Sequence, residues 1–181
     1  QQITIDKSTK ILDVGCGRGD IALYLGRNSE EAIGIDYSKE AIELADSIKE
    51  NFPLAIRKKV HFKVMNIKKL PFADNYFDLI ICIDVLEHLY KDEVEQALRD
   101  IKRVLKNGGV LFLQTGINKL LYNYAYRFYI YPVNKFITSL DKFVRNVNYK
   151  SLPKDPRTID EKRQHVNEPT YLYLKNLFNK Y

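Results

Sequence analysis

Two short clusters and one isolated carboxylate hold the residue types from which a reaction site can be built. Asp13-Val14-Gly15-Cys16-Gly17-Arg18-Gly19-Asp20 sets three glycines two positions apart, and a backbone without side chains there can turn sharply and come close to a ligand. Asp36 ends Gly34-Ile35-Asp36, seventeen positions after Gly19. At a strand end beside that loop it can accept both hydroxyls of a ribose; the plainer reading is a solvated acid next to a helix-capping Ser38. Glu87-His88 sets a carboxylate beside an imidazole, and an imidazole can take up a proton near neutral pH. The plainer reading of that pair is that it only orders a loop.

Other reactive types carry less. His61, among Lys58, Lys59 and Lys63, reads as surface, and His165 as a hinge histidine bonded to backbone. Cys16 and Cys82 have neither metal-ligand spacing nor a disulfide framework, and Cys82 falls in an apolar run, as a buried thiol would. No metal site is expected. A dinucleotide-binding loop would need glycine or alanine where Asp20 stands, so a nicotinamide dehydrogenase is disfavoured.

Strands feeding helices must position these residues. Ile11 to Val14 is a short apolar run before the glycines, and Ala32 to Ile35, Leu79 to Ile83 and Val110 to Leu113 have the same character; such runs suit buried parallel strands. Val60, Phe62 and Val64 alternate with polar residues, also as a strand. Ser38 can cap a helix with Ala41, Ile42, Ala45 and Ile48 on one face. Asp92, with Glu95 completing a capping box, opens a second helix carrying Val94, Ala97, Leu98, Ile101, Val104 and Leu105, and Gly108 can end it. This alternation predicts an α/β fold with a doubly wound, mostly parallel sheet.

The last third differs. Residues 1–116 carry 17 basic and 18 acidic side chains, whereas residues 117–181 carry 12 and 5 together with 13 of the 22 aromatics, which suggests a separate task. Leu120 to Tyr131 is ambiguous between strand and helix and is read as helix. Val133, Phe136, Ile137, Leu140, Phe143, Val144 and Val147 form an amphipathic helical stripe, with Lys135, Lys142 and Arg145 elsewhere. Ser151 to Arg157 reads as a loop, and a final helix starting at Thr170 should turn Tyr171, Leu174, Leu177 and Phe178 inward. The longest apolar stretch, Leu79 to Ile83, is far short of the ~20 residues of a membrane span, and no signal segment opens the chain. A soluble cytoplasmic protein is expected.

Taken in order, these signposts resemble the class I S-adenosylmethionine-dependent methyltransferases. Asp13-x-Gly15-x-Gly17-x-Gly19 resembles that family's first motif and Gly34-Ile35-Asp36 its second. Asn66-x-x-x-Leu70-Pro71-Phe72, Phe77-Asp78, Val85-Leu86-Glu87-His88 and Leu105-Lys106-Asn107-Gly108-Gly109 follow in the family's sequence. The resemblance spans about residues 10–113 and implies a Rossmann-like sheet with the methyl donor at its strand C-termini. Asp13, Gly15, Cys16, Gly17 and Gly19 would lie near the methionyl part and Asp36 on the ribose. Tyr37 and Ile67 would flank the adenine, Ile83 would lie near the methionyl amine, and His88 with Glu87 would serve catalysis. Asn66 stands where the family usually has Asp, and a neutral acceptor binds the adenine amine less strongly.

The family's Asn/Asp-Pro-Pro-Tyr signature for base amines is absent; the comparable place reads Ile83-Asp84-Val85-Leu86. The acceptor is therefore expected to be an oxygen or carbon of a small or lipid-like molecule. An RNA acceptor using the basic last third is the first alternative, and a donor-binding scaffold without catalysis the second. The segment after the fifth strand is expected to be a basic aromatic lid (117–160) ahead of a terminal helix (161–181) in a single domain, with possible peripheral membrane contact. His165-Val166-Asn167 resembles a segment of small-molecule members that reaches the acceptor. The family's last two strands have no counterpart before Tyr181, and the chain begins with Gln1, so a fragment is expected.

Overall fold

The computed structural model describes residues 4–115, 121–145, 152–155, 169 and 171–180. The chain divides after Thr115 into two compact units. In the first, β1 (Lys10–Val14) leads to α1 (Asp20–Leu25), β2 (Glu31–Asp36), α2 (Lys39–Lys49), α3 (Leu54–Arg57), β3 (Val60–Val64), β4 (Phe77–Ile83), α4 (Lys91–Val104) and β5 (Leu105–Gln114). Among the described residues the five strands form one sheet, ordered β3-β2-β1-β4-β5, with every neighbouring pair parallel. The doubly wound α/β sheet expected from the apolar runs is present.

The burial of consecutive residues in β1, β2 and β4 requires cover on both faces, the usual condition of parallel sheets. Topology supplies it. The chain moves one way from β1 through β2 to β3 and the other way from β1 through β4 to β5, so right-handed crossovers place α1 and α2 on one face and α4 on the other. Ile11, Ala32, Val60, Leu79 and Ile81 join Ala22, Leu23, Ile42 and Ala45 of the first two helices in one core cluster. Leu12, Ile33 and Ile80, of opposite parity in their strands, are buried too, and α4 buries Val94, Ala97, Leu98, Ile101 and Val104.

Helix ends follow local chemistry, with two corrections. Ser38 Oγ accepts the Ala41 amide at 3.1 Å and starts α2 as expected. The capping box of α4 lies earlier than Asp92 and Glu95: the helix opens after Tyr90, whose amide donates to Glu93 Oε2 at 2.9 Å. Lys68 Nζ holds the other Glu93 oxygen at 2.6 Å, a tertiary partner that local spacing does not reveal. Nor does Gly108 end this helix. Leu105 already pairs with Phe77 in the sheet, the register then shifts before Val110 pairs with Leu79, and Gly108, at φ +82°, lies in the intervening bulge.

The second unit contains a helix in the wide π form over Leu121–Ile130, then α5 (Tyr131–Arg145) and α6 (Tyr171–Lys180). The ambiguous aromatic stretch is thus helical. Tyr126 is buried there and its hydroxyl donates to the Pro153 carbonyl at 2.7 Å. None of the described residues of α5 is buried; its stripe residues Phe136, Ile137, Leu140, Phe143 and Val144 are exposed. In α6 Leu177 is buried. Val147, His165 and the side chains of Tyr171 and Phe178 lie outside the described residues. Among the described residues no helix is long and apolar enough to cross a membrane.

Replacing Ile101 of α4, 1% exposed, by alanine leaves a cavity under the sheet. The expected loss in urea unfolding is ~2–5 kcal/mol; a loss under ~0.5 would mean that α4 does not cover this face.

Candidate active site at the C-terminal edge of the sheet

Strand order reverses beside β1, and in such sheets the crevice outside the strand C-termini at that point is where ligands bind. The loop leaving β1 enters it with Gly15, Gly17 and Gly19 at φ +70°, +51° and +83°, conformations that cost a side-chain-bearing residue energy. A Cβ at Gly15 would strike Val85 and one at Gly19 would strike Phe62, whereas one at Gly17 meets nothing within 4 Å. The outer glycines let the loop pack; Gly17 leaves its backbone open.

The same loop is fastened to the end of β2. The Gly15 and Cys16 amides both donate to the Ile35 carbonyl, at 2.8 and 3.0 Å. Gly17 N donates to Asp36 Oδ2 at 3.0 Å, and Ser38 N to Asp36 Oδ1 at 2.9 Å. Each Asp36 oxygen keeps a lone pair for a further donor.

Asp13 ends up inside, 3% exposed. Burial pushes its carboxyl up to about 7; the Ala22 amide donates to it and opposes the rise, while Asp36 adds to it. Its Oδ2 has no hydrogen-bond partner. Burial, with the Asp13 and Asp36 carboxylates, pushes the Cys16 thiol up to about 12; burial, with Glu87 and Asp13, does the same to Cys82. Neither thiol is a nucleophile at neutral pH.

Ile83, the last residue of β4, is half-buried, and Asp84 after it takes the left-handed conformation at φ +52° with its amide donating to the Gln114 carbonyl at 3.0 Å. A single 3₁₀ turn, Leu86–His88, follows. Glu87 is 2% exposed and accepts Thr115 Oγ1 at 3.0 Å, while His88 is exposed. After β3, Asn66 is exposed with its Oδ1 accepting the Lys68 amide at 3.0 Å, and Ile67 is buried. Tyr37, after β2, is 83% exposed.

The fold thus joins the glycine loop, Asp36 and the Val85 turn through direct contacts, with Asp13 near enough for Asp36 to raise its pKa. Tyr37, Asn66, Ile67, Ile83, Glu87 and His88 all follow or end strands on the same edge. His61 is exposed, as expected. Reading the sequence missed Phe62 and Val85, against which two glycines close, Thr115 as the partner of Glu87, and the left-handed turn at Asp84. The one available signal was chemical, since Asp tolerates that conformation better than most residues. Among the described residues no group of three metal-ligating side chains occurs.

The raised Asp13 carboxyl has a measurable cost. Because its folded value of about 7 lies above the ordinary 3.8, the folded state holds the extra proton, so stability falls as pH rises from about 4 to 7. Asp13→Asn should flatten that slope in urea unfolding and be the more stable protein above pH 7 by up to ~4 kcal/mol. An unaltered slope would place the titration elsewhere.

Comparison with known proteins agrees with this geometry. A family profile described as "Methyltransferase domain" matches residues 12–113. An uncharacterized methyltransferase of Bacillus subtilis, YcgJ, is 35% identical over 104 residues, which cover 58% of this chain and 39% of the relative. The mitochondrial ubiquinone biosynthesis O-methyltransferase of Mus musculus is 35% identical over 117 residues, covering 64% and 30%. The crystal structure of YcgJ superposes with TM-score 0.63 at 26% identity, covering 97% of this chain and 62% of that one. A SAM-dependent methyltransferase of Methanosarcina mazei gives TM-score 0.63 at 25% identity, covering 98% and 80%. The chain spans about a third to two fifths of the length of these two curated relatives. With its sheet order, its glycine loop and this match over more than half its residues, the chain belongs to the methyltransferase domain family.

Proposed function

We propose that the protein binds S-adenosylmethionine at this edge and transfers its methyl group to an oxygen or carbon of a small or lipid-like acceptor. The observation that carries the reading is the junction of the open Gly17 backbone with Asp36, a carboxylate that keeps acceptor capacity on both oxygens. The residues present fit the donor. Asp36 would take the ribose diol, Tyr37 and Ile67 would border the adenine, and Asn66 would meet its amine through the acceptor capacity left beside the Lys68 amide. The orphaned Asp13 Oδ2, the glycine loop with Cys16, and Ile83 would surround the methionyl part. When bound, the donor supplies an electrophilic methyl carbon on a sulfonium. The chain's own contribution is alignment of an acceptor atom behind that carbon and, through exposed His88 set on the buried, Thr115-bonded Glu87, removal of the acceptor's proton.

Similarity to the ubiquinone biosynthesis O-methyltransferases of Mus musculus and Coxiella burnetii supports an oxygen acceptor. The exposed apolar residues of α5 suit an apolar acceptor or a lipid surface. RNA is the less favoured partner, and its binding would weaken steeply with salt. One solved neighbour supports a second reading: SpnF, a [4+2]-cyclase, is 33% identical over 59% of this chain with TM-score 0.53. The fold thus also serves a reaction named otherwise than methyl transfer in that neighbour, and donor binding without methyl transfer is the competing function here.

Two substitutions separate these readings. Asp36→Ala should weaken S-adenosylhomocysteine binding by ~2–4 kcal/mol in titration calorimetry, two charge-assisted bonds being lost; unchanged affinity, or tighter binding of NAD, would overturn the donor assignment. His88→Ala should lower methyl transfer by ~10²-fold with donor affinity intact. A matching loss of donor affinity would show that His88 only shapes the pocket, and wild-type protein that binds donor but methylates nothing in an extract of its own cells would favour the second reading.

A further inference from the structure

The second unit carries an apolar helix face that none of the described residues covers. At about 100° of rotation per residue, Val133, Phe136, Ile137, Leu140, Phe143 and Val144 of α5 fall within an arc of about 120°, and Lys135, Lys142 and Arg145 within about 80° on the opposite side. No residue of α5 is buried, and all six of these apolar side chains are exposed, Phe143 to 89%. The stripe they form runs for about 18 Å along the helix. The π-helical segment before it adds exposed Tyr124, Phe128 and Tyr129. An exposed apolar patch of this extent marks a surface on which something else rests.

Charge and size decide what that is. Residues 121–145 carry four basic side chains and one acid, and that acid, Asp141, is already answered by Arg145 at 3.8 Å. The polar side of α5 is therefore cationic. A small acceptor is too short to cover a stripe of that length. RNA would engage the cationic side and leave the stripe in water, and a second copy of the chain would bring the same positive charge to the contact. A bilayer with anionic headgroups satisfies both sides at once: its acyl region takes the apolar side chains, its charge attracts the long basic ones, and its headgroup level suits tyrosine. Crossing the bilayer is a different matter, since among the described residues no helix is long and apolar enough. We propose that α5 docks flat on an anionic lipid surface, with Phe136, Leu140 and Phe143 seated at the acyl boundary and Lys135 and Lys142 toward the headgroups and water. This deepens the lipid-like reading above, on which it rests for its purpose, bringing the protein to an acceptor held in a membrane; the contact itself needs no donor.

The chain has no tryptophan, so one placed on α5 reports on that helix alone. The test titrates Phe143→Trp and, separately, Thr138→Trp on the polar side, with phosphatidylcholine vesicles containing phosphatidylglycerol and with phosphatidylcholine vesicles alone. On the anionic vesicles the emission of Phe143→Trp should move to shorter wavelength and be quenched by brominated acyl chains, while that of Thr138→Trp barely moves. Binding to phosphatidylcholine alone should be several-fold weaker. Phe136→Ser, Leu140→Ser and Phe143→Ser together should abolish co-sedimentation with the vesicles, and the tryptophan pair decides even if that variant does not fold. S-adenosylhomocysteine titration of the same protein keeps the two readings apart: docking without its binding would overturn the donor reading and leave the contact standing. No vesicle binding, equal shifts at the two tryptophans, or docking that survives the serine changes would overturn the proposal. So would a Phe143→Trp emission already shifted without lipid in a dimeric protein, which would give the face to a second copy, or RNA binding without vesicle binding, which would give the charge to RNA.

Discussion

The hydrogen bond from the Gly17 amide to Asp36 Oδ2, across nineteen residues of sequence, fixes the geometry on which the site depends. It can form only if β1 and β2 are parallel neighbours in a register that pairs Val14 with Ile35, so that both chains leave the sheet at one level. It also needs a loop in the left-handed region at three positions, which excludes most other residues there. The rest of the first unit maintains that register: the α1 and α2 core cluster on one face, α4 on the other, and β4 on the far side of β1.

A consequence is that several acids meet at one edge of the sheet. Parallel strands bring their C-termini together, and here those ends carry Asp13, Asp36, Asp84 and Glu87. Two of these side chains are almost fully buried. Structural economy does not explain such an arrangement, since an unpaired buried acid destabilises the fold. Anionic phosphates would be repelled at this edge, consistent with Asp20 in place of the small residue of a dinucleotide loop.

Much of this was legible in the residues. Apolar runs marked β1, β2, β4 and β5, and alternation marked β3; in β1, β2 and β4 burial on both faces leaves a continuous apolar run. Asp13, the glycines and Asp36 were legible because backbone conformation and charge restrict which residues can stand there. What escaped was set by tertiary partners. Glu93, rather than Glu95, caps α4 because Lys68, 25 positions away, holds it. Leu105 leaves its helical stripe because the edge of β4 offers it a pairing partner in Phe77. The Thr115 bond to Glu87 spans 28 positions and has no local signature. The stripe on α5 was legible as a helix, but periodicity alone does not say whether such a face is covered, and here it is exposed.

The central claim, that the junction of the glycine loop with Asp36 is where an adenosyl donor binds, is tested most directly by recording backbone amide chemical shifts as S-adenosylhomocysteine is added. The largest shifts should fall at Gly15, Gly17, Gly19, Tyr37 and Ser38, the amides that line or answer to that junction. A bound donor that leaves these amides unmoved, or shifts confined to the opposite edge of the sheet, would contradict the account.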